Sequence, residues 1–415
     1  MMNKKSNSFK DTFDTWYSKN NILIERTLFS YLSIKTVSPH EYLASDFLEV
    51  YLSSIGIDVT RSYFDNQKLL NNSKFTDHPQ IDSSMKRFNI HGELHKGETD
   101  IKLPTVLFNC HIDVVPDVSE EQRQFQPYSD EEYIFGRGAC DTKSNVICLV
   151  EAIRFLQESN IPIKKNISID LVIEEETTGN GTLVQTINGV NADFVVVFEP
   201  TSLMVYKGHR GVLTVNLRLQ GSPSHMGHNS DIKNVHNQLK DILIDIENLE
   251  EYLQNLCINN NNFKKSDNTV KINIGKIDGG EWPGSIPSKC DILFNIGFTD
   301  ELTIQQVEEL VQNHFEKYSN VEVTFPELKN QPYIIDENNI YLKEFFDSIQ
   351  LYEKVQKGIF GWRVSCDAHY YFKNCNIPTV IFGCGKLSDA HSNKECVSKE
   401  EIKKEILILA NYLSM

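Results

Sequence analysis

The spacing of apolar residues along the chain changes period at a few definite points. Between residues 13 and 55 it is helical, in ILIERTLFSYLSI and again in EYLASDFLEVYLSSIG, which stops at Gly56. The stretch Asp65–Ser84 is polar and predicts no element. From 105 to 199, short apolar runs (TVLFNC, ISIDLVI, DFVVVF) alternate with the amphipathic stretch TKSNVICLVEAIRFLQES, an order that predicts a mainly parallel sheet covered by helices. The order then changes. Residues 207–325 read as strand (VLTVNLRLQG), helix (232–256), strand (NTVKINIGKI), strand (CDILFNIGF), helix (LTIQQVEELVQNHFEKY) and strand (VEVTF), the β-α-β-β-α-β sequence of a ferredoxin-like α+β unit. Within it, INNNNFKKSDN reads as an exposed loop. Helix and strand patterns resume after 335. The expectation is an α/β protein whose catalytic domain is built in two parts, 1–206 and 326–415, around an inserted domain at 207–325.

Polar residues with metal chemistry gather where the apolar runs end. TVLFNC leads into His111 and Asp113, ISIDLVI into Glu174, Glu175 and Glu176, and DFVVVF into Glu199, while PTVIFGCG precedes His391. In open α/β sheets the ligand crevice lies outside the carboxyl ends of the strands, so these scattered positions are expected to converge. His111 and Asp113 are two residues apart, and in an extended segment both side chains face one side. The aspartate can then hold one ring nitrogen of the histidine and leave the other for a metal. Asp141 follows FGRGAC and opens a helix; its carboxylate either caps that helix or bridges two metal ions. Three consecutive glutamates repel one another if buried and ionised, unless cations compensate.

Composition narrows the class further. The chain has 415 residues, 40% of them hydrophobic, enough for a large core in two or three domains. A formal net charge of -16, with no compact run of Lys or Arg, argues against nucleic acid or an anionic membrane as partner. The N-terminal residues lack the apolar core of a signal peptide, and no stretch approaches the roughly 20 apolar residues of a membrane span. The nine cysteines contain no CxxC pair and fit free thiols in a reducing compartment, so a cytoplasmic location is expected. Cys110 and Cys140 each precede a candidate ligand, but soft thiolates do not suit a hard oxygen site, and both read as packing residues.

The strings NCHIDVVP, FGRGACDTK, IEEETTGNGTL, FEPTSL and AHSNKECV resemble the successive motifs of the aminoacylase, acetylornithine deacetylase, succinyl-diaminopimelate desuccinylase and glutamate carboxypeptidase family of dinuclear zinc amidohydrolases. The resemblance is specific over 100–205 and 358–400, and it extends to HRGVLTVNLRLQGSPSH and GGEWPGSIPSKCDI in the inserted domain. It implies two Zn2+ per chain, with Co2+ or Mn2+ as substitutes. One would be held by His111 and Glu199, the other by Glu176 and His391, with Asp141 bridging both. Asp113 would orient His111, Glu175 would be the general acid/base, and the Asp141–Thr142 peptide would be cis. The resemblance also implies a homodimer through the inserted domain, in which His225 stabilises the oxyanion in the partner's site, His228 being a less favoured substitute. Many relatives carry an arginine on the strand after the GG-x-W-P motif, whereas CDILFNIGF has none. Arg210 and Arg363 are the alternative partners for a substrate carboxylate. The implied reaction is deacylation of a small N-acyl amino acid, with a dipeptidase or carboxypeptidase using the same metals as the alternative. A non-catalytic binding protein of this fold is the remaining class.

Overall fold

The computed structural model describes all residues except 1, 66–68, 70, 71, 73, 77–86, 95–102, 118–122, 228–233, 264–268, 327, 328, 351, 353–355 and 357. The chain divides into two compact units. The first comprises Met1–Lys207, Ile335–Ile359 and Tyr370–Met415; the second comprises Gly208–Ile334 and Phe360–His369. The second unit thus takes up a short return segment that patterning alone does not assign to it. The strand there, Phe360–Trp362, is three residues long, too short to show a period.

In the first unit the strands Thr105–His111, Asn166–Val172, Phe194–Phe198 and Thr379–Phe382 are mutually parallel neighbours. Thr105–His111 lies between Asn166–Val172 and Phe194–Phe198, and Thr379–Phe382 follows on the far side of the latter. The antiparallel strands Phe88–Leu94 and Asp58–Tyr63 extend the opposite flank. From Thr105–His111 the chain crosses to one neighbour through the helix Lys143–Glu158, then back to the other through the helix Asn180–Asn188. The order therefore reverses at Thr105–His111, and such a switch point opens a crevice at the strand ends. Near-continuous apolar runs are what a sheet buried on both faces requires, and Phe194–Phe198 is buried throughout.

The N-terminal region forms one helix, Met2–Leu32, longer than the periodic stretch suggested, followed by a second at Ser45–Ser53. The first packs on Lys143–Glu158 through aromatic contacts, Phe13 meeting Phe155 edge-on at 5.2 Å. Lys143, fully buried, donates to the carbonyl of Ile34 at 2.8 Å, just beyond that long helix, and so ties it to the helix that follows Asp141.

The second unit has the expected ferredoxin-like order. Its antiparallel sheet runs Lys271–Gly279, Lys289–Phe298, Gly211–Gln220, Val321–Thr324. Leu213, Val215, Leu217 and Leu219 alternate into a core with Ile242, Ile246 and Leu249 of the helix Val235–Leu256 and Val307 and Val311 of the helix Ile304–Phe315. Of the INNNNFKKSDN segment, residues 258–263 form a loop as expected, with Ile258, Asn259 and Asn261 exposed, but two of its residues turn inward. Asn260 and Phe263 are buried, because the Asn260 amide donates to Asp300 at 2.8 Å and the Phe263 ring packs under Gly361. Residues 264–268 lie outside the described residues. Among the described residues no helix is long and apolar enough to cross a membrane.

Candidate metal centre

The first unit brings together the five side chains marked as ligands. His111 ends the central strand, Glu199 follows Phe194–Phe198, Glu176 follows Asn166–Val172, and His391 follows Thr379–Phe382. Asp141 precedes the helix Lys143–Glu158, whose N-cap is Thr142, so its carboxylate is not spent as that cap. The Asp141–Thr142 peptide is cis. Asp141 presents Oδ1 to His111 Nε2 at 3.0 Å and Oδ2 to His391 Nε2 at 3.3 Å. Glu176 Oε1 lies 3.0 Å from the same His391 nitrogen. Donor atoms of His111, Asp141 and Glu199 all lie within 4.8 Å of one another, as do those of Asp141, Glu176 and His391. Asp141 belongs to both groups. The first is almost wholly buried, whereas the His391 imidazole is half exposed.

Tautomers follow from the partners. His111 Nδ1 faces the backbone carbonyl of Asp113 at 3.0 Å; a carbonyl only accepts, so Nδ1 carries a proton, and Nε2, turned to the Asp141 carboxylate, is the nitrogen that a cation could take in place of its proton. The Asp113 carboxylate lies further from this nitrogen, at 3.6 Å, and accepts the backbone N–H groups of Glu175 at 3.2 Å and Glu176 at 3.0 Å. Asp113 thus holds His111 mainly through its main chain and the glutamate turn through its side chain. Within the triplet, Glu174 faces elsewhere. It is buried and paired with Arg87, and it accepts from Thr178 Oγ1 at 2.7 Å. The residues that remain to serve the cluster are Glu175 and Glu176.

The electrostatics fit cations. Hydrogen bonds that the His391 imidazole donates to Asp141 and Glu176 push it up to about 10. Burial alone would raise the Asp141 carboxyl, but the two imidazoles outweigh it and hold it below the ordinary carboxylate range. Burial and the charge of Asp141 raise Glu176. Carboxylates and imidazoles that compete for protons in this way form a hard oxygen and nitrogen donor set suited to divalent ions. Cys110 and Cys140 take no part; both are buried free thiols, with Cys110 Sγ against Thr142 Oγ1 at 3.0 Å.

Three candidates belong to the second unit. His225 is exposed on a two-residue strand paired with Ser285–Ile286. Its Nδ1 accepts the Gly227 N–H at 3.1 Å, so the imidazole proton resides on Nε2. Arg210 is buried, its guanidinium 5.8 Å from the Phe263 ring centre, while Arg363 is exposed. His228 lies outside the described residues.

Sequence reading assigned no role to Glu395, although it lies in AHSNKECV. It is buried beneath the Asp141 loop and accepts the N–H groups of Gly138, Cys140 and Asp141.

The model of peptidase family M20/M25/M40 matches residues 107–415. The chain is 24% identical to N-formyl-4-amino-5-aminomethyl-2-methylpyrimidine deformylase of Bacillus subtilis, over 78% of this chain and 82% of that protein. It is 28% identical to acetylornithine deacetylase of Buchnera aphidicola subsp. Schizaphis graminum, over 84% and 87%. In three dimensions it is similar to the dipeptidase Dug1p of Saccharomyces cerevisiae, with a TM-score of 0.75 at 16% identity over 99% and 98% of the two chains, a likeness of fold.

Proposed function

The chain belongs to peptidase family M20/M25/M40, hydrolases of amide bonds, and from that premise we propose that it is a two-cation deacylase of a small N-acyl amino acid or a similar compound. The observation that carries the reading is the double use of Asp141, one oxygen toward His111 and the other toward His391. Two Zn2+ ions held there, the first by His111 and Glu199 and the second by Glu176 and His391, would polarise the substrate carbonyl and acidify a water.

The chain's own groups supply the rest. Glu175 shares the turn with Glu176, and the Asp113 carboxylate fixes its backbone, so it is set beside the cluster without being spent as a ligand. In that position it takes the proton from the attacking water and delivers it to the departing amine nitrogen. His225, with its proton on Nε2, is a donor for the charge on the tetrahedral intermediate. It acts on a second copy of the chain in a homodimer joined through the second unit. Arg210 and Arg363 are the groups able to pair with a substrate carboxylate.

The deacylase reading is favoured over a dipeptidase because the deformylase and the acetylornithine deacetylase are similar in sequence over most of their lengths. The dipeptidase likeness is one of fold. The test is hydrolysis of a panel of N-acetyl, N-succinyl and N-formyl amino acids and dipeptides by the cation-loaded protein. Turnover on one acyl class well above that on dipeptides is expected. Hydrolysis of dipeptides alone would transfer the assignment to a dipeptidase, and inertness toward the whole panel would remove the deacylase reading.

A further inference from the structure

The loop that carries Asp141 and the segment that carries His391 are tied by a buried polar network outside the proposed chemistry. At its centre is Glu395, 2% exposed. Oε1 of Glu395 accepts the backbone N–H of Gly138 at 2.9 Å and those of Cys140 and Asp141 at 3.2 Å each. Oε2 meets Nη1 of Arg137 at 2.5 Å, and Arg137 is itself 1% exposed. Nη2 of Arg137 donates to Oε1 of the buried Gln124 at 2.7 Å. Nε2 of Gln124 then donates to the carbonyl of Ser392 at 2.6 Å, one residue from His391. The Gly136 N–H donates to the Glu395 carbonyl at 3.1 Å, closing the tie through the main chain.

The two halves of the candidate centre are therefore supported differently. His111 ends a strand and Glu199 follows one, and those strands pair in register from Val106 opposite Phe194 to Asn109 opposite Val197. Asp141 and His391 instead sit on irregular segments, whose relative placement depends on the contacts they make. A carboxylate accepting several N–H groups while paired with a guanidinium is a stiff connection, because each bond is charge-assisted and the surroundings exclude water.

We propose that Glu395, acting with Arg137 and Gln124, is a positioning residue that sets the separation of Asp141 from His391. It thereby builds the cation subsite of Asp141, Glu176 and His391, while the sheet builds the subsite of His111 and Glu199. The inference rests on the reading that the cluster holds two cations.

The test is equilibrium dialysis of cation-stripped protein against Co2+, counting sites and their affinities in the wild type, Glu395→Gln and Gln124→Ala. The wild type binds two ions. Glu395→Gln keeps an acceptor oxygen but loses the charge facing Arg137; it weakens the second site by about 10–100-fold, the usual effect of disturbing groups behind metal ligands, and the first, through the shared Asp141, by less. Gln124→Ala preserves the ion pair and gives a smaller loss at the same site, and it carries the test if Glu395→Gln does not fold. Two sites of wild-type affinity in a folded Glu395→Gln, or an equal loss at both, would overturn the assignment. So would wild-type binding in Gln124→Ala beside an unfolded Glu395→Gln. Failure of the wild type to bind Co2+ would instead remove the two-cation reading itself, and the inference with it.

Discussion

Nε2 of His391 lies 3.3 Å from Oδ2 of Asp141, although one residue follows the last parallel strand of the sheet and the other precedes the first helix that crosses between its parallel strands. The opposite oxygen of the same carboxylate faces His111 at 3.0 Å. Asp141→Ala is therefore expected to lose both cations together with activity, since one carboxylate serves two sites. Metal analysis of the purified variant checks this, and retention of two ions per chain would end the bridging role.

Glu174, Glu175 and Glu176 are adjacent in sequence, yet substitution should separate their roles. Glu175→Gln is expected to keep its metals and its fold while turnover falls by about 10²–10⁴-fold, the usual contribution of a general acid/base. Glu174→Gln leaves Arg87, whose side chain is 10% exposed, without its charged partner, and breaking a buried pair of this kind costs up to about 3–5 kcal/mol of stability. Thermal unfolding and steady-state kinetics on the two variants distinguish these outcomes. Near-normal turnover in Glu175→Gln would move proton transfer to another residue.

For His225 the expectation is a folded, metal-loaded variant, His225→Ala, slowed by about 10²–10³-fold, the typical loss for one oxyanion donor. Mixing it with Glu175→Gln under subunit exchange should restore activity, because one site of the mixed dimer then combines an intact Glu175 with an intact His225 from the other chain. Exchange without recovery would show that His225 does not act across the dimer.

His91 offers a stability test away from the metals. Its Nδ1 lies 2.7 Å from Asp170 Oδ1, and that bond raises the imidazole above its ordinary value of about 6.5. A group raised in this way stabilises the fold fully below its unfolded value, and the contribution disappears as pH rises through the folded one. His91→Gln should therefore lower the unfolding temperature more at about pH 5.5 than at about pH 9. An equal decrement at both would contradict the shift.

Much of this arrangement was legible because strands announce themselves. The runs leading into His111, into the turn of Glu175 and Glu176, and into Glu199 form parallel strands buried on both faces, so the polar residues at their ends mark the crevice. The β-α-β-β-α-β order of patterns over 207–325 likewise matches the order of elements in the second unit. Glu395 was not legible in the same way. It lies in a segment without periodicity, and its partners are main-chain N–H groups and an arginine more than 250 residues away in sequence. The main-chain grip of Asp113 on His111 was hidden for a related reason, since the HxD spacing suggests a carboxylate contact while the backbone carbonyl is the nearer acceptor.

The central claim is two cations sharing Asp141, and anomalous diffraction from crystals of the Co2+-loaded protein tests it most directly. The account predicts two peaks in the first unit, one coordinated by His111 and Glu199 and one by Glu176 and His391, with one Asp141 oxygen on each. A single peak, or two peaks that do not both contact Asp141, would contradict it.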